Sequence, residues 1–190
     1  MEGRKEIQTI EKYGHLKFPE GLSKSDKDLI INQCEHQQAT GDQEILGFAI
    51  SYLEAKQIGL DSELIQNLNS SKIELLILKW ASQMEKRNEK GYRKTPVHFS
   101  NMTQGLNPDS IERAMSSFSD AFVNFIQNTI DINDERRLTA TELYTEFEKI
   151  HPFEDGNGRV GDLLWKIARA HESGSWPEQL PPDVFGESNG

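Results

Sequence analysis

The chain is predicted to fold as a mainly α bundle carrying one small β-hairpin flap, on three observations. Apolar residues recur at spacings of three and four along most of its length, as on one buried helix face. Ser, Asp and Asn stand ahead of these stripes and Gly or Pro behind them, as helix starts and stops require. Residues 92–99 alone read as strand.

The elements follow in chain order. Ser25 is placed to cap a helix carrying Leu29 and Ile30. Asp42 opens a second, with Ile45, Leu46, Ala49, Ile50 and Leu53 on one face and Gly59 just past its end. Leu60 and Asp61 form an N′ and N-cap pair before Leu64, Ile65 and Leu68. Ser71 with Glu74 has capping-box spacing and starts a stripe of Ile73, Leu76, Ile77, Trp80 and Met84, which ends in the charged run 86–91. Tyr92 to Phe99 is short, partly β-branched and aromatic, and Pro96 confines it to an edge. With the turn-like residues 100–105 it makes the hairpin.

Asn107-Pro108 is an N-cap followed by proline at the first helical position. Ile111, Met115, Phe118, Phe122, Phe125 and Ile126 stripe the helix behind it. After a polar break at 128–137, Ala140, Leu143, Tyr144, Phe147 and Ile150 form another stripe. It stops at His151-Pro152, because proline disfavours helical geometry in the residue before it. Leu163, Leu164, Ile167 and Ala168 resume the pattern, and residues 173–190, with three prolines and three glycines, read as an extended, mobile tail.

Composition narrows the function classes. A length of 190 residues suffices for one compact domain with a core. Against 31 acidic side chains stand 21 basic ones, a formal charge of −10, which repels nucleic acid and anionic membranes as bulk partners. A nucleotide pocket can still be locally positive. The single cysteine, Cys34, forms no internal disulfide or zinc cluster and reads as a small helix residue. No apolar run approaches the roughly 18 residues of a membrane span. The N-terminus lacks the apolar segment of a secretory signal. A cytoplasmic protein is expected, although an uncleaved export signal, as bacterial effectors use, would leave no such mark.

Residues 151–159, His-Pro-Phe-Glu-Asp-Gly-Asn-Gly-Arg, carry the chemistry. A loop between two helices offers backbone N–H groups and a helix N-terminus to an anion, a phosphate cradle. His151 shares the face of Phe147 four residues earlier and is a candidate base, with an ordinary pKa near 6.5. Alone, it reads equally as a helix-end histidine facing the dipole. Phe153 is an apolar anchor, and Glu154 points to solvent. Asp155 is a candidate Mg²⁺ ligand where phosphate oxygens and waters complete the shell, or an ordinary turn residue. Gly156 and Gly158 bracket Asn157 and let the backbone approach a ligand, although a bare Gly-x-Gly often only caps a helix. Arg159, on the first turn of the next helix, can fork onto phosphate oxygens. Together these point to an enzyme acting on a phosphorylated small molecule.

The string resembles the signature of the Fic family, His-x-Phe-x-[Asp/Glu]-Gly-Asn-Gly-Arg-x-x-Arg, and the resemblance extends over roughly residues 72–172. Residues 140–150 look like the family's helix before the signature, and Tyr92 to Phe99 like its flap. The resemblance implies a Fic-type helical bundle. It divides the chain into an N-terminal helical extension over 1–70, a Fic-like domain over 71–172 and the tail. It implies transfer of AMP from ATP to a Ser, Thr or Tyr hydroxyl of a target protein. His151 would be the general base and Asp155 would hold Mg²⁺. Gly156, Asn157, Gly158 and Arg159 would bind the nucleotide phosphates. The flap, Thr95, Pro96, Val97 and His98, would dock the target by β-augmentation.

One position departs from the signature. Its final arginine is Asp162 here, which inverts a charge where the terminal phosphates would lie. Poor use of ATP, another donor (a phosphocholine diphosphate compound, or kinase-type transfer) and a silent binding module all follow as readings. Lys166, one turn on, is a candidate substitute cation. An inhibitory helix with a Ser/Thr-x-x-x-Glu-Gly/Asn pattern is matched in spacing by Thr40 with Glu44 and Ser70 with Glu74, but Ile45 and Leu75 spoil the last position. With the arginine replaced, no inhibition of that type is expected. A separate antitoxin or regulatory protein stays open as a partner.

Overall fold

The computed structural model describes residues 12–99, 104–128 and 138–184. Among them are seven α-helices: α1 Lys24–His36, α2 Asp42–Leu60, α3 Ser62–Gln66, α4 Ser70–Met84, α5 Ile111–Gln127, α6 Ala140–Ile150 and α7 Asn157–Ser173. Two 3₁₀ turns, Lys86–Lys90 and Pro108–Ser110, join in. No helix of the described residues is long and apolar enough to cross a membrane.

The capping chemistry is local and mostly as predicted. Asp61 accepts from the Glu63 and Leu64 amides, and Asn107 accepts from Asp109 N–H ahead of Pro108. Two starts differ. α1 is capped by Ser23, not Ser25, because Asp26 three residues on completes a capping box. α4 is capped by Asn69, whose side chain accepts from Lys72 N–H, so Ser71 lies inside the helix. Gly59 does not end α2. It lets Trp176 lie against the helix, where a Cβ would come within 2.9 Å of the indole.

α7 lies at the centre, packed by α2, α4, α5 and α6. Residues 156–168 are all buried, as expected of a helix surrounded on every side. One hydrophobic core runs from Ile30 and Phe48 through Trp80 and Phe122 to Phe147 and Ile167. The helices before residue 70 therefore share a core with those after it. α2 crosses α4 closely at Gly47, where a Cβ would come within 2.0 Å of the Gln83 carbonyl oxygen.

Two expectations about the chain's irregular parts change. The hairpin reduces, among the described residues, to one antiparallel bridge, His98 with Gln104, plus a bond from Gly105 N–H to the Val97 carbonyl at 2.9 Å. Of its predicted turn, 100–105, residues 100–103 lie outside the described residues. Pro96 supplies no N–H, which limits the ladder on this side. The tail, predicted to be mobile over 173–190, is anchored in its described part: Trp176 is buried and donates to the Tyr52 hydroxyl at 2.8 Å, and residues 185–190 lie outside the described residues. Tyr52 in turn donates to Asp26, which Lys56 neutralises at 2.8 Å.

Candidate functional site

The loop between α6 and α7 is built by three local devices. His151 ends α6 in the left-handed region, φ 47° and ψ 64°, a conformation a non-glycine residue adopts only when its surroundings impose it. Asn157 closes the loop: its Oδ1 accepts from Phe153 N–H and its Nδ2 donates to the Phe153 carbonyl, each at 2.9 Å. Gly156, at φ +78°, turns the chain into α7. Phe153 is fully buried against Tyr92, the anchor its sequence position predicted.

His151 is three-quarters buried, with its Nδ1 3.9 Å from Glu148 Oε2. Burial pushes its imidazole down to about 4, the Arg93 charge acting in the same direction. Burial pushes the Glu148 carboxyl up to about 8. Burial thus favours the uncharged form of both groups, and neither His151 Nδ1 nor Glu148 Oε1 has a hydrogen-bond partner among the described residues. Gly161 makes room for Glu148, since a Cβ there would come within 2.4 Å of its Oε1. Beside the imidazole opens a cavity of about 220 Å³, walled by Tyr144, Glu148, His36, Gln37 and residues 180–184.

The Arg159 guanidinium is 1% exposed, yet its Nε and Nη1 have no hydrogen-bond partner among the described residues. Its Nη2 lies 3.7 Å from Glu44 and 3.8 Å from Asp155, too far for strong bonds. Glu44, from the Thr40–Glu44 match, thus does reach an arginine of the signature, although not the one whose loss was expected to leave it without a partner. The first backbone N–H of α7 paired within the helix is that of Val160, which leaves the amides before it without an intrahelical partner. Gln37 sits over Gly158, where a Cβ would meet its amide at 2.4 Å.

Asp155 is half exposed and engaged. Its Oδ2 accepts from Arg87 at 2.7 Å and its Oδ1 from Gly156 N–H at 2.6 Å. Glu154 is exposed but not solitary, because Thr95 Oγ1 donates to it at 2.9 Å. That bond joins the loop to the flap. Pro96 and His98 are exposed and Val97 partly so, along the outer edge of the flap.

Asp162 does not face the loop. It is buried in α7 with its Oδ1 3.2 Å from Lys166 Nζ, each side chain 1% exposed. Burial pushes its carboxyl up to about 6, against the opposing pull of Lys166. Lys166 also donates to the Gln179 carbonyl, so it is no substitute cation for the signature's last arginine. Cys34 is fully buried and its thiol is pushed up by burial to about 12, as an inert core residue.

Arg87, Arg93 and Glu148 are the residues that the sequence reading missed. Helical spacing puts Glu148 one turn before His151, but carries no sign that it turns inward. Arg93 is indistinguishable in the sequence from Lys94, which is exposed.

No curated protein matches the chain. The Fic/DOC family matches it over residues 58–167, a stretch that begins at the end of α2 and closes just past Lys166. It holds the flap, the loop and all but the last six residues of α7. On that span, more than half its length, the chain belongs to the Fic/DOC family.

Proposed function

We propose that the chain is a protein adenylyltransferase, moving AMP from ATP onto a Ser, Thr or Tyr hydroxyl of a target protein. Family membership supports a Fic-type transferase. The observation that carries the finer reading is Arg159, a buried guanidinium with two donor nitrogens unpaired among the described residues, beside a glycine loop and eight residues from the imidazole. A buried cation with free donors calls for an oxyanion.

In the reaction the target hydroxyl oxygen attacks the α-phosphorus. A new O–P bond forms, the bond to the bridging oxygen breaks and pyrophosphate leaves. His151 takes the hydroxyl proton on the ring nitrogen turned away from Glu148. Its low proton affinity keeps the lone pair free, and the negative charge of an arriving polyphosphate raises that affinity. Arg159 and the backbone amides of Gly158 and Arg159, which lack intrahelical partners, hold phosphate oxygens as charge develops. Asn157, whose amide is committed to Phe153, serves by holding the loop.

Asp155 fits Mg²⁺ as a single carboxylate whose other ligands would be phosphate oxygens and water. No cluster of three or more His, Cys, Asp or Glu side chains among the described residues can hold a metal alone. When bound, the ion neutralises phosphate charge. Arg87 holds Asp155 meanwhile, and its exposed side chain is able to withdraw. The target would lie along the flap at Thr95, Pro96, Val97 and His98.

Asp162 favours a second reading. Lys166 is engaged by Asp162 and Gln179 and does not replace the signature's last arginine, which suits a donor other than a triphosphate. The test is label transfer to lysate proteins with Mg²⁺ and ATP labelled at the α or γ phosphorus, beside His151→Ala. Label from the α position alone, lost in the variant, is expected. Transfer from γ alone would make it a kinase. Silence from both would sink the ATP reading.

A further inference from the structure

Arg93 is among the most deeply buried side chains, 1% exposed, and no carboxylate of the described residues lies within salt-bridge distance. Among the described residues its guanidinium donates only to backbone carbonyls. Nε donates to His151 at 2.6 Å and Nη1 to Thr95 at 2.7 Å. Nη2 donates to Leu106 at 2.7 Å and to Ile150 at 3.4 Å. Its own backbone N–H donates to the Pro152 carbonyl at 2.9 Å. Two of the four side-chain acceptors are the end of α6 and the candidate base. The other two stand on either arm of the flap.

A buried cation without a carboxylate is costly unless its donors are all met. Here each of the three nitrogens donates to a carbonyl, and two of the four acceptors stand at a helix C-terminus, where a cation is favoured by the dipole and by carbonyls that lack intrahelical partners. The planar fork fixes angles as well as distances. A single rigid group therefore sets the strained backbone of His151 and the base of the flap together.

We propose that Arg93 is the positioning residue that registers a target segment docked on the flap against the His151 imidazole. The proposal rests on the transfer reading for its consequence, but its physical content can be measured without transfer. Losing the fork frees His151 from its left-handed backbone, and both flap arms loosen with it. Removing the cation also raises the proton affinity of the imidazole. The other titratable groups about that ring stay in place: Glu148 and Tyr144 on α6, His36 on α1, Asp155 in the loop and Asp183 in the C-terminal segment.

The experiment compares the full chain with Arg93→Lys and Arg93→Met, each checked for folding by thermal melting. Hydrogen exchange is read over 93–106 and 150–152, and His151 is titrated by NMR. In Arg93→Lys both segments are expected to exchange faster together, with the His151 titration near the parent's. In Arg93→Met the titration shifts upward as well. If Arg93→Met does not fold, the lysine variant carries the test. Exchange that rises in only one segment, or a His151 titration unmoved in a folded methionine variant, overturns the coupling. Where the parent transfers label, the rate in Arg93→Lys is expected to fall about a hundredfold, with nucleotide affinity kept. A parent that transfers nothing would count against the transfer reading alone.

Discussion

Asp162 and Lys166 face one another at 3.2 Å across one turn of α7, both buried, and the lysine reaches on to the carbonyl of Gln179. The signature's arginine position has thus become part of the core, and through Lys166 it holds the C-terminal segment beside the His151 cavity.

Breaking this pair by Asp162→Ala leaves a buried ammonium with only a carbonyl and is expected to destabilise the fold by about 3–5 kcal/mol. The apolar double variant Asp162→Leu, Lys166→Met is expected to recover most of that loss. Urea unfolding of the single and double variants checks it. A single variant as stable as the parent would mean that the pair contributes nothing.

Stability should depend on pH from both sides. Glu148 and Asp162 hold protons more tightly folded than unfolded, at about 8 and about 6. Their contribution is complete below the ordinary carboxylate range and is lost as pH rises through those values. His151, at about 4, binds its proton less readily than an ordinary imidazole, so its contribution is lost as pH falls from about 6.5 towards 4. Glu148→Gln should flatten the alkaline decline, at about 1.4 kcal/mol for each tenfold change in proton affinity removed. Melting temperatures between pH 4 and 9 decide it.

Two glycines should respond oppositely. At Gly47 the obstacle is the Gln83 backbone at 2.0 Å, so Gly47→Ala forces α2 and α4 apart and costs about 1–3 kcal/mol or more. At Gly158 the obstacle is the tip of an exposed glutamine. Gly158→Ala should therefore melt close to the parent while weakening nucleotide binding, because a methyl intrudes on the cradle. Calorimetric melting beside nucleotide titration separates the two.

Arg159→Ala removes the buried donors that an anion would use. Charge-assisted bonds of about 1.5–3 kcal/mol each predict at least a tenfold loss in affinity for Mg²⁺-ATP. Glu44→Ala acts the other way, removing a carboxylate 3.7 Å from that guanidinium, and should tighten binding. Isothermal titration of the two variants measures both. Equal affinity in Arg159→Ala and the parent would remove Arg159 from the phosphate site.

The helices and the loop were readable because their signals are local. Stripes such as Ile73, Ile77, Trp80 and Met84 need only the helical period, and the glycines about Asn157 mark a turn wherever they stand. What escaped was long-range or backbone-directed. Arg93 meets carbonyls 57 and 58 residues away, and every residue carries a carbonyl, so no side-chain identity announces such a partner. Asn157 matched the signature by type, but its amide turned inward to Phe153. The burial of Asp162 and Glu148 depends on which face of α7 meets α6, a matter of packing that spacing alone leaves open.

The pair of hydrogen bonds between Asn157 and Phe153 has a kinetic meaning. Fixing the backbone of one residue costs about 1–2 kcal/mol of conformational entropy, and in this loop folding has already met that cost. An anion arriving at Gly158 and Arg159 meets a cradle with little left to order. Cutting the staple by Asn157→Ala would therefore show first as slower, weaker capture, with the chemistry of the captured molecule unchanged.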